Sequence, residues 1–176
     1  MLTIANIARA PSIVVGMARV EWLDDDEQAA WRAFVGSVVD LMAALEADVL
    51  PHELTMGDYQ VLVYLSEAEG RAMRMCDLAT HLQLSPSGLT RRLDGLVRGG
   101  LVERRASSAD RRVMLAVLTR TGLRALERAA PTHVRSVRRH LIDRLERRDL
   151  SAMTRIFQAV RAGLDDDGAA AVPAAS

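Results

Sequence analysis

The spacing of apolar residues along the chain predicts a mainly helical protein. Over residues 24–50 they recur every three or four positions, which is the period of an amphipathic helix. Four acidic residues open this segment, where the helix dipole favours negative charge, and Pro51 ends it. Thr55 followed by Asp58 is the pattern of a capping box, so a second helix is predicted to begin there.

A helix-turn-helix is predicted in the middle of the chain. The third helix is expected over residues 75–83, followed by a tight turn. Ser85 has the side chain of an N-cap and Pro86 is tolerated at a first helical position, so a fourth helix is predicted from Pro86 onward. Two glycines at residues 99–100 are expected to end it, because glycine favours the end of a helix.

A β-hairpin is predicted directly after this motif. Residues 101–105 and 113–119 have the composition of short strands, and the polar residues 106–110 between them suit a turn. The tip is flanked by four arginines: Arg104, Arg105, Arg111 and Arg112. Four positive charges held close together repel one another, and a bound anion would offset this repulsion. The tip is therefore expected to contact a polyanion.

Two further helices are predicted towards the C-terminus. Thr119 or Thr121 is expected to open a long helix that reaches about residue 146 and kinks at Pro131. Ser151 is expected to cap a last helix. The fold class that follows is mainly α: a winged helix-turn-helix, with a three-helix core and a hairpin wing, flanked by N- and C-terminal helices.

The composition agrees with packed helices and excludes several classes of protein. Of the 176 residues, 49% are hydrophobic but only 3% are aromatic, so the core is mostly aliphatic, which suits helices better than a β-sandwich. No apolar run is long enough to cross a membrane, and the single Cys excludes an internal disulfide framework. The chain is therefore expected to be cytoplasmic. Residues 1–16 are expected to be disordered, or to precede a true start at Met17.

The charge of the chain is zero overall but unevenly distributed. Residues 1–70 carry −9, residues 71–140 carry +10 and residues 141–176 carry −1. A segment at +10 within a neutral protein indicates a polyanionic partner. All 23 basic residues are Arg, which a GC-rich genome explains by itself, although Arg also binds phosphates and guanine edges in bidentate fashion.

The predicted fourth helix has one apolar and one polar face. The apolar face holds Leu89, Leu93, Leu96 and Val97. The polar face holds Ser87, Arg91, Asp94 and Arg98, with Arg92 on a flank. Small residues followed by guanidinium groups suit a recognition helix in a DNA major groove, but an ordinary solvated surface helix shows the same pattern. Asp94 would face DNA phosphates, so it is expected to pair with Arg91 or Arg98.

These residues resemble the MarR family of transcriptional regulators over about residues 24–164. The resemblance rests on Leu54-Thr55, Tyr59-Gln60-Val61-Leu62, Asp77-Leu78-Ala79, Ser85-Pro86-Ser87-Gly88-Leu89-Thr90-Arg91 and Gly100-Leu101-Val102-Glu103-Arg104. The most specific motif is Asp110-Arg111-Arg112, followed by Leu118-Thr119 and by Gly122, which resembles the Asp-x-Arg signature of the family's wing.

The resemblance implies a homodimeric repressor that binds a near-palindromic operator in double-stranded DNA. It implies that Arg112 enters the minor groove and that Asp110 orients the wing through an ion pair with an Arg of the recognition region. The residues expected to contact DNA are Ser85, Ser87, Thr90, Arg91, Arg92, Arg98, Arg104, Arg105, Ser107, Ser108, Asp110, Arg111 and Arg112.

The same resemblance divides the chain into regions. A leader over residues 1–20 precedes a helical dimerisation region, which is formed by residues 21–54 and 120–164. Residues 55–119 form the DNA-binding domain, and residues 165–176, beyond the expected end of the last helix, form a flexible tail.

The resemblance also implies release of DNA by a small aromatic effector. Trp31, Tyr59 and His133 could line a crevice for it, although core or dimer contacts are the favoured interpretation of the first two. His133 and His140 share a helix face, but two His residues do not make a metal site, and no cofactor is expected.

Two alternatives to an effector-released regulator remain open at this point. Cys76 could be a redox sensor, or it could be a small half-buried filler. A winged helix can also serve protein interaction alone, but such a module would not need four arginines around one tip. No phosphate loop, nucleophile elbow or metal-spaced cluster is found, so an enzyme is not expected.

Overall fold

The computed structural model describes residues 21–170, with side chains described to residue 164. The expected leader over residues 1–20 and the last six residues of the expected tail lie outside the described residues. The elements in chain order are α1 (Asp25–Val49), α2 (Met56–Glu67), β1 (Ala72–Arg74), α3 (Met75–His81), α4 (Pro86–Arg98), β2 (Val102–Ala106), β3 (Met114–Leu118), α5 (Arg120–His140) and α6 (Arg147–Ala170). The fold is therefore mainly helical with a winged helix-turn-helix, as predicted.

Side-chain caps fix where three of these helices begin. Thr55 and Asp58 form the predicted capping box of α2: Asp58 N donates to Thr55 Oγ1 at 3.1 Å, and Thr55 N donates to the Asp58 carboxylate at 3.2 Å. Ser85 caps α4 by accepting from the backbone N–H of Gly88. Thr119 caps α5 in the same way. Of the two threonines considered for α5, Thr119 is the cap.

The chain divides into two units, residues 1–40 and residues 41–176. The core of the second unit is aliphatic, as the composition predicted. Its fully buried large side chains come from the end of α1, from α2, α3 and α4, and from the start of β2: Val49, Val61, Leu62, Leu65, Leu78, Leu89, Leu93 and Val102. These residues hold the two helices of the helix-turn-helix against α2 and the sheet.

The sheet has three antiparallel strands in the order β1-β3-β2. Both predicted strands are confirmed, with Val102 opposite Leu118 and Ala106 opposite Met114. The edge strand β1 was not predicted, because three residues are too few to show an alternating pattern. At the base of the hairpin, a Cβ on Gly122 would collide with the carbonyl group of Leu101, so glycine lets α5 start directly against the wing.

The end of the chain differs from the prediction in two respects. The helix α5 continues through Pro131 but ends at His140 rather than near residue 146, and a 3-10 turn follows at Ile142–Arg144. The helix α6 then begins at Arg147, four residues before Ser151, and extends to Ala170. Asp149, which accepts a hydrogen bond from the backbone N–H of Glu146 at 3.0 Å, was the overlooked start signal.

One polar cluster ties the end of α1 to α5. The Ser136 hydroxyl, which is buried, donates to the Asp48 carboxylate at 2.6 Å. Arg139 and His140 also reach this carboxylate, at 3.1 and 3.2 Å. The hydrogen bond from Ser136 is the strongest influence and lowers the pKa of Asp48 below 3.8, with His140 and Arg139 acting in the same direction and partial burial acting against them.

Within the first unit, residues 21–40 are described. Asp24 and Glu27 exchange backbone-to-carboxylate hydrogen bonds at 2.9 and 2.8 Å, which caps α1. Large apolar side chains on this part of the chain are exposed: Trp22, Leu23, Trp31, Phe34, Val35, Val38 and Val39. None of the described helices of the chain is long and apolar enough to cross a membrane.

Candidate nucleic-acid interface

The two faces predicted for α4 are confirmed. Leu89, Leu93 and Leu96 are buried on its inner side. The residues exposed on its outer side are Ser87, Thr90, Arg91, Asp94 and Arg98. The outer face therefore places small hydroxyl side chains near the start of the helix and guanidinium groups farther along, which is the arrangement that a groove-reading helix needs.

The hydroxyl groups at the start of α4 make local hydrogen bonds. Ser85 Oγ caps the helix and lies 3.1 Å from Ser87 Oγ. Thr90 Oγ1 donates to the carbonyl of Pro86 at 2.9 Å. An open groove runs between this turn and the start of α2, lined by Thr55, Asp58, Leu84, Ser85, Ser87, Gly88, Arg91 and Arg92.

Arg92 is not on the exposed face with Arg91. Its guanidinium lies against the first turn of α2, where Nη1 donates to Thr55 Oγ1 at 3.2 Å and lies 3.9 Å from Asp58 Oδ1. The sequence placed Arg92 among the DNA-contacting residues, but it contained no signal for this partner, which is 37 positions away along the chain.

Arg104 joins the wing to α4. Its Nη2 donates to the Asp94 carboxylate and to the Thr90 carbonyl, both at 2.8 Å. The expectation that Asp94 pairs with Arg91 or Arg98 is therefore wrong: its partner lies on β2, because the hairpin folds back beside α4. This ion pair couples the orientation of the wing to that of the helix.

The wing tip is held by short backbone contacts. Ser107 N donates to Val113 O at 2.8 Å, and Arg112 N donates to the Asp110 carboxylate at 2.9 Å. Asp110 thus shapes the turn locally. The expected ion pair between Asp110 and the recognition region is replaced, among the described residues, by that of Asp94 and Arg104.

The guanidinium groups around the tip differ in their partners. Arg105 lies 3.6 Å from Glu103, with both side chains more than half exposed, which is a weak contact. Ser108, Arg111 and Arg112 are exposed. Within the described part of the chain, Arg111 and Arg112 have no ion pair, so these two guanidinium groups are available to an anionic partner.

The residues considered for an effector site belong to different units of the chain, Trp31 to the first and Tyr59 and His133 to the second. The rings of Tyr59 and His133 contact each other directly, with their centroids 4.6 Å apart. Burial raises the pKa of Tyr59 and lowers that of His133, whose Nδ1 is buried without a hydrogen-bond partner among the described residues. Trp31 belongs to the first unit, in an open apolar groove lined by Glu21, Trp22, Leu23, Gln28, Trp31, Arg32 and Val35.

Cys76 is exposed, so the interpretation as a half-buried filler is wrong. Its thiol donates to the Asp77 carboxylate at 3.3 Å. Among the described residues no group of three or more potential metal ligands is found.

Comparison with known proteins identifies the family. The sequence profile of the MarR family matches residues 52–113. The structure is similar to that of AbsC, a MarR family transcriptional regulator from Streptomyces coelicolor, with a TM-score of 0.80 and 42% sequence identity, covering 84% of this chain and 99% of AbsC. This chain belongs to the MarR family.

This MarR-family chain is similar to two further proteins. Sco3205, a MarR family regulator from Streptomyces coelicolor solved in complex with DNA, is 31% identical, with a TM-score of 0.79 and coverage of 82% of this chain and 92% of Sco3205. The HTH-type transcriptional repressor YetL of Bacillus subtilis (strain 168) is 32% identical over 80 residues, or 46% of this chain and 48% of YetL. The match spans about half the length of that relative. The chain is thus a DNA-binding transcriptional regulator and not an enzyme.

Proposed function

We propose that this MarR-family chain is a homodimeric repressor that binds a near-palindromic operator and is released by a small-molecule effector. The helix α4 would enter the major groove, with Ser87, Arg91 and Arg98 towards the DNA. The wing would lie over the adjacent backbone, with Arg112 inserted into the minor groove, where a narrow groove concentrates negative potential.

The observation that carries DNA binding is a set of exposed guanidinium groups on two elements that are fixed to each other. Arg91 and Arg98 on α4 and Arg111 and Arg112 on the wing have no ion pair within the described residues. The Arg104–Asp94 pair holds the two elements in one orientation. A module for protein interaction alone would not need this uncompensated charge, and the relative Sco3205 was solved in complex with DNA.

Exposed apolar side chains support the homodimer. On α6, Ile156, Val160 and Leu164 are at least half exposed, and they lie three or four positions apart on one face. Val39 of α1 is 62% exposed. Monomeric proteins rarely expose such patches, and a second copy of the same chain would cover them.

An effector site is supported by aromatic residues in each of the two units. The Tyr59–His133 contact and the apolar groove beside Trp31 each offer aromatic rings, with a neutral imidazole in the first and Arg32 in the second. The aromatic rings favour a small aromatic ligand, and the Arg32 guanidinium would favour a carboxylate on it, so a small aromatic acid is the proposed ligand class. Repression is proposed from the similarity to YetL, which is a transcriptional repressor.

The test is a mobility-shift titration with a duplex that the wild-type protein selects from a randomised pool. We expect Arg112→Ala to weaken binding at least about tenfold, as the loss of one minor-groove contact would. The matched control is Arg128→Ala, an exposed Arg on α5 outside the interface, which should leave affinity unchanged.

The salt dependence separates the proposal from the protein-interaction alternative. With roughly 6–10 phosphate contacts, the wild-type affinity should fall about 10³–10⁵-fold between about 50 and 200 mM salt. A flat response to salt, or equal affinities for the Arg112 and Arg128 variants, would contradict the proposal.

A further inference from the structure

Arg92 is the basic residue of α4 that turns away from the exposed face. Its side chain is 35% exposed and crosses to the first turn of α2, where it donates to the Thr55 hydroxyl. That hydroxyl in turn donates to Asp58 Oδ2 at 2.6 Å and accepts from Asp58 N. The guanidinium therefore extends the capping box of α2 by one more hydrogen bond.

Gly57 provides the space for this guanidinium. A Cβ built on Gly57 would lie 2.5 Å from Cζ and 2.8 Å from Nη2 of Arg92, and still closer to Nη1. These separations are shorter than real Cβ contacts, and the three nearest atoms all belong to Arg92. The guanidinium thus lies directly over the backbone of Gly57, and any side chain at this position would displace it.

The charge of Arg92 is balanced where it lies. The first turn of a helix carries partial positive charge, so a cation there is unfavourable by itself. The Asp58 carboxylate, 3.9 Å away, offsets this. In the same contact Arg92 screens a carboxylate that lines the groove beside Ser87 and Arg91, where a bare negative charge would repel a phosphate.

We propose that Arg92 is a positioning residue that fixes α4 to the first turn of α2 and screens Asp58. Gly57 allows this because it leaves space for the guanidinium over its backbone, and this contact between Arg92 and Gly57 is called the seat. Arg91, on the exposed face of α4, would instead contact a DNA phosphate. The role of Arg92 in DNA binding rests on the proposed function, since α4 is the element being positioned. The seat itself does not depend on that function.

The first test needs no DNA. Thermal unfolding is measured for the wild type, Gly57→Ala, Arg92→Ala and the double variant. Ala is a better helix former than Gly, so Gly57→Ala should raise the Tm when no guanidinium has to be displaced. We expect its change in Tm to be more positive by about 2–4 °C in the Arg92→Ala background than in the wild type. Equal changes in both backgrounds would show that the seat does not exist in solution.

The second test separates positioning from phosphate contact. The probes are a duplex selected by the wild type from a randomised pool and a scrambled duplex, each titrated at several salt concentrations well below the Tm of every variant. We expect Gly57→Ala and Arg92→Ala to lower the preference for the selected duplex roughly tenfold, as a disturbed base contact does, with the salt dependence unchanged. Arg91→Ala, the matched control on the exposed face, should reduce the slope of log affinity against log salt by about 1.

Each outcome decides one of the two proposals. If Arg92→Ala lowers the salt slope as much as Arg91→Ala, or if Gly57→Ala raises affinity by releasing Arg92 to the DNA, the positioning role is overturned. A fall in Tm with an unchanged preference for the selected duplex would leave Arg92 a stabilising residue only and would also overturn it. If the wild type selects no duplex, the proposed function fails together with any role of Arg92 in DNA binding, while the coupling in Tm still shows whether the seat exists.

Discussion

The winged helix-turn-helix and the exposed faces of the terminal helices distribute their side chains in opposite ways. In the first region, Leu62, Leu78 and Leu93 are completely buried and the guanidinium groups are outside. On α6, by contrast, Val160 and Leu164 are 53% and 67% exposed. A charged side chain is well solvated by water without a partner. Each Å² of apolar area that stays exposed, by contrast, forgoes the stabilisation of about 25 cal/mol that its burial would give. The apolar side chains of the first region are therefore covered within the protomer, together with Val49 of α1 and Ala129 of α5, and its outer surface offers charge to a polyanion. The exposed face of α6 instead offers apolar area, which another apolar surface would cover.

The largest expected effect comes from breaking the apolar face. Val160→Asp would place a charge in the middle of the surface that a second copy would cover, so we expect a monomer by sedimentation. Operator affinity should fall by about 10²–10⁴-fold, because the two half-sites would no longer be bound together.

The matched control for this change is Gln158→Asp, which adds the same charge to the same helix on its other side. It should remain dimeric. If both variants stay dimeric, the face is not the dimer contact, and the contrast between the two regions does not predict assembly.

The second effect tests the buried core of the winged helix-turn-helix, which it shares with the end of α1 and with α5. Leu62→Ala should lower the free energy of unfolding by about 2–5 kcal/mol, since it leaves a cavity among fully buried side chains. The measurement is urea unfolding. Met114→Ala, at a 41% exposed position on β3, should change stability by less than about 0.5 kcal/mol. Similar losses at the two positions would mean that Met114 is covered in solution.

The smallest effect concerns the polar cluster between the end of α1 and α5. The pKa of Asp48 is lowered below its ordinary value of 3.8 in the folded state. The ionised carboxylate therefore stabilises the fold at pH values above 3.8, and this stabilisation is lost as the pH falls through the pKa of the folded state. Asp48→Asn should therefore be less stable than the wild type near neutral pH, and the difference should shrink below about pH 4. Thermal unfolding across this range checks it, and a difference that grows on acidification would refute it.

Local patterns were enough for much of the fold. The capping box at Thr55, the cap at Ser85 and the inward Leu residues of α4 were all predicted, because each depends on residues three or four positions apart. The end of α5 at His140 was missed, since Leu141 leaves helical geometry without a proline or glycine to signal it.

The candidate site was predicted in part. The sequence placed the basic residues on α4 and on the wing, and the structure shows that Ser87, Arg91, Arg98, Arg111 and Arg112 are exposed there. It assigned Asp94 to the wrong partner and gave no sign that Arg92, placed on a flank of α4, contacts Thr55. Both errors concern contacts between elements, for which one sequence provides no distance.

The sequence by itself determined that the chain forms a helix-turn-helix with a basic hairpin, since caps, turns and the helical period are set by neighbouring residues. Only the tertiary structure decided which guanidinium groups the protein uses internally. Arg104 is ten positions from Asp94 and Arg92 is 37 positions from Thr55, yet both pairs are in hydrogen-bond contact. Adjacent helical residues point about 100° apart. Arg91 is therefore exposed on the outer face of α4 while Arg92 lies over Gly57, although the two are neighbours in the chain with the same side chain.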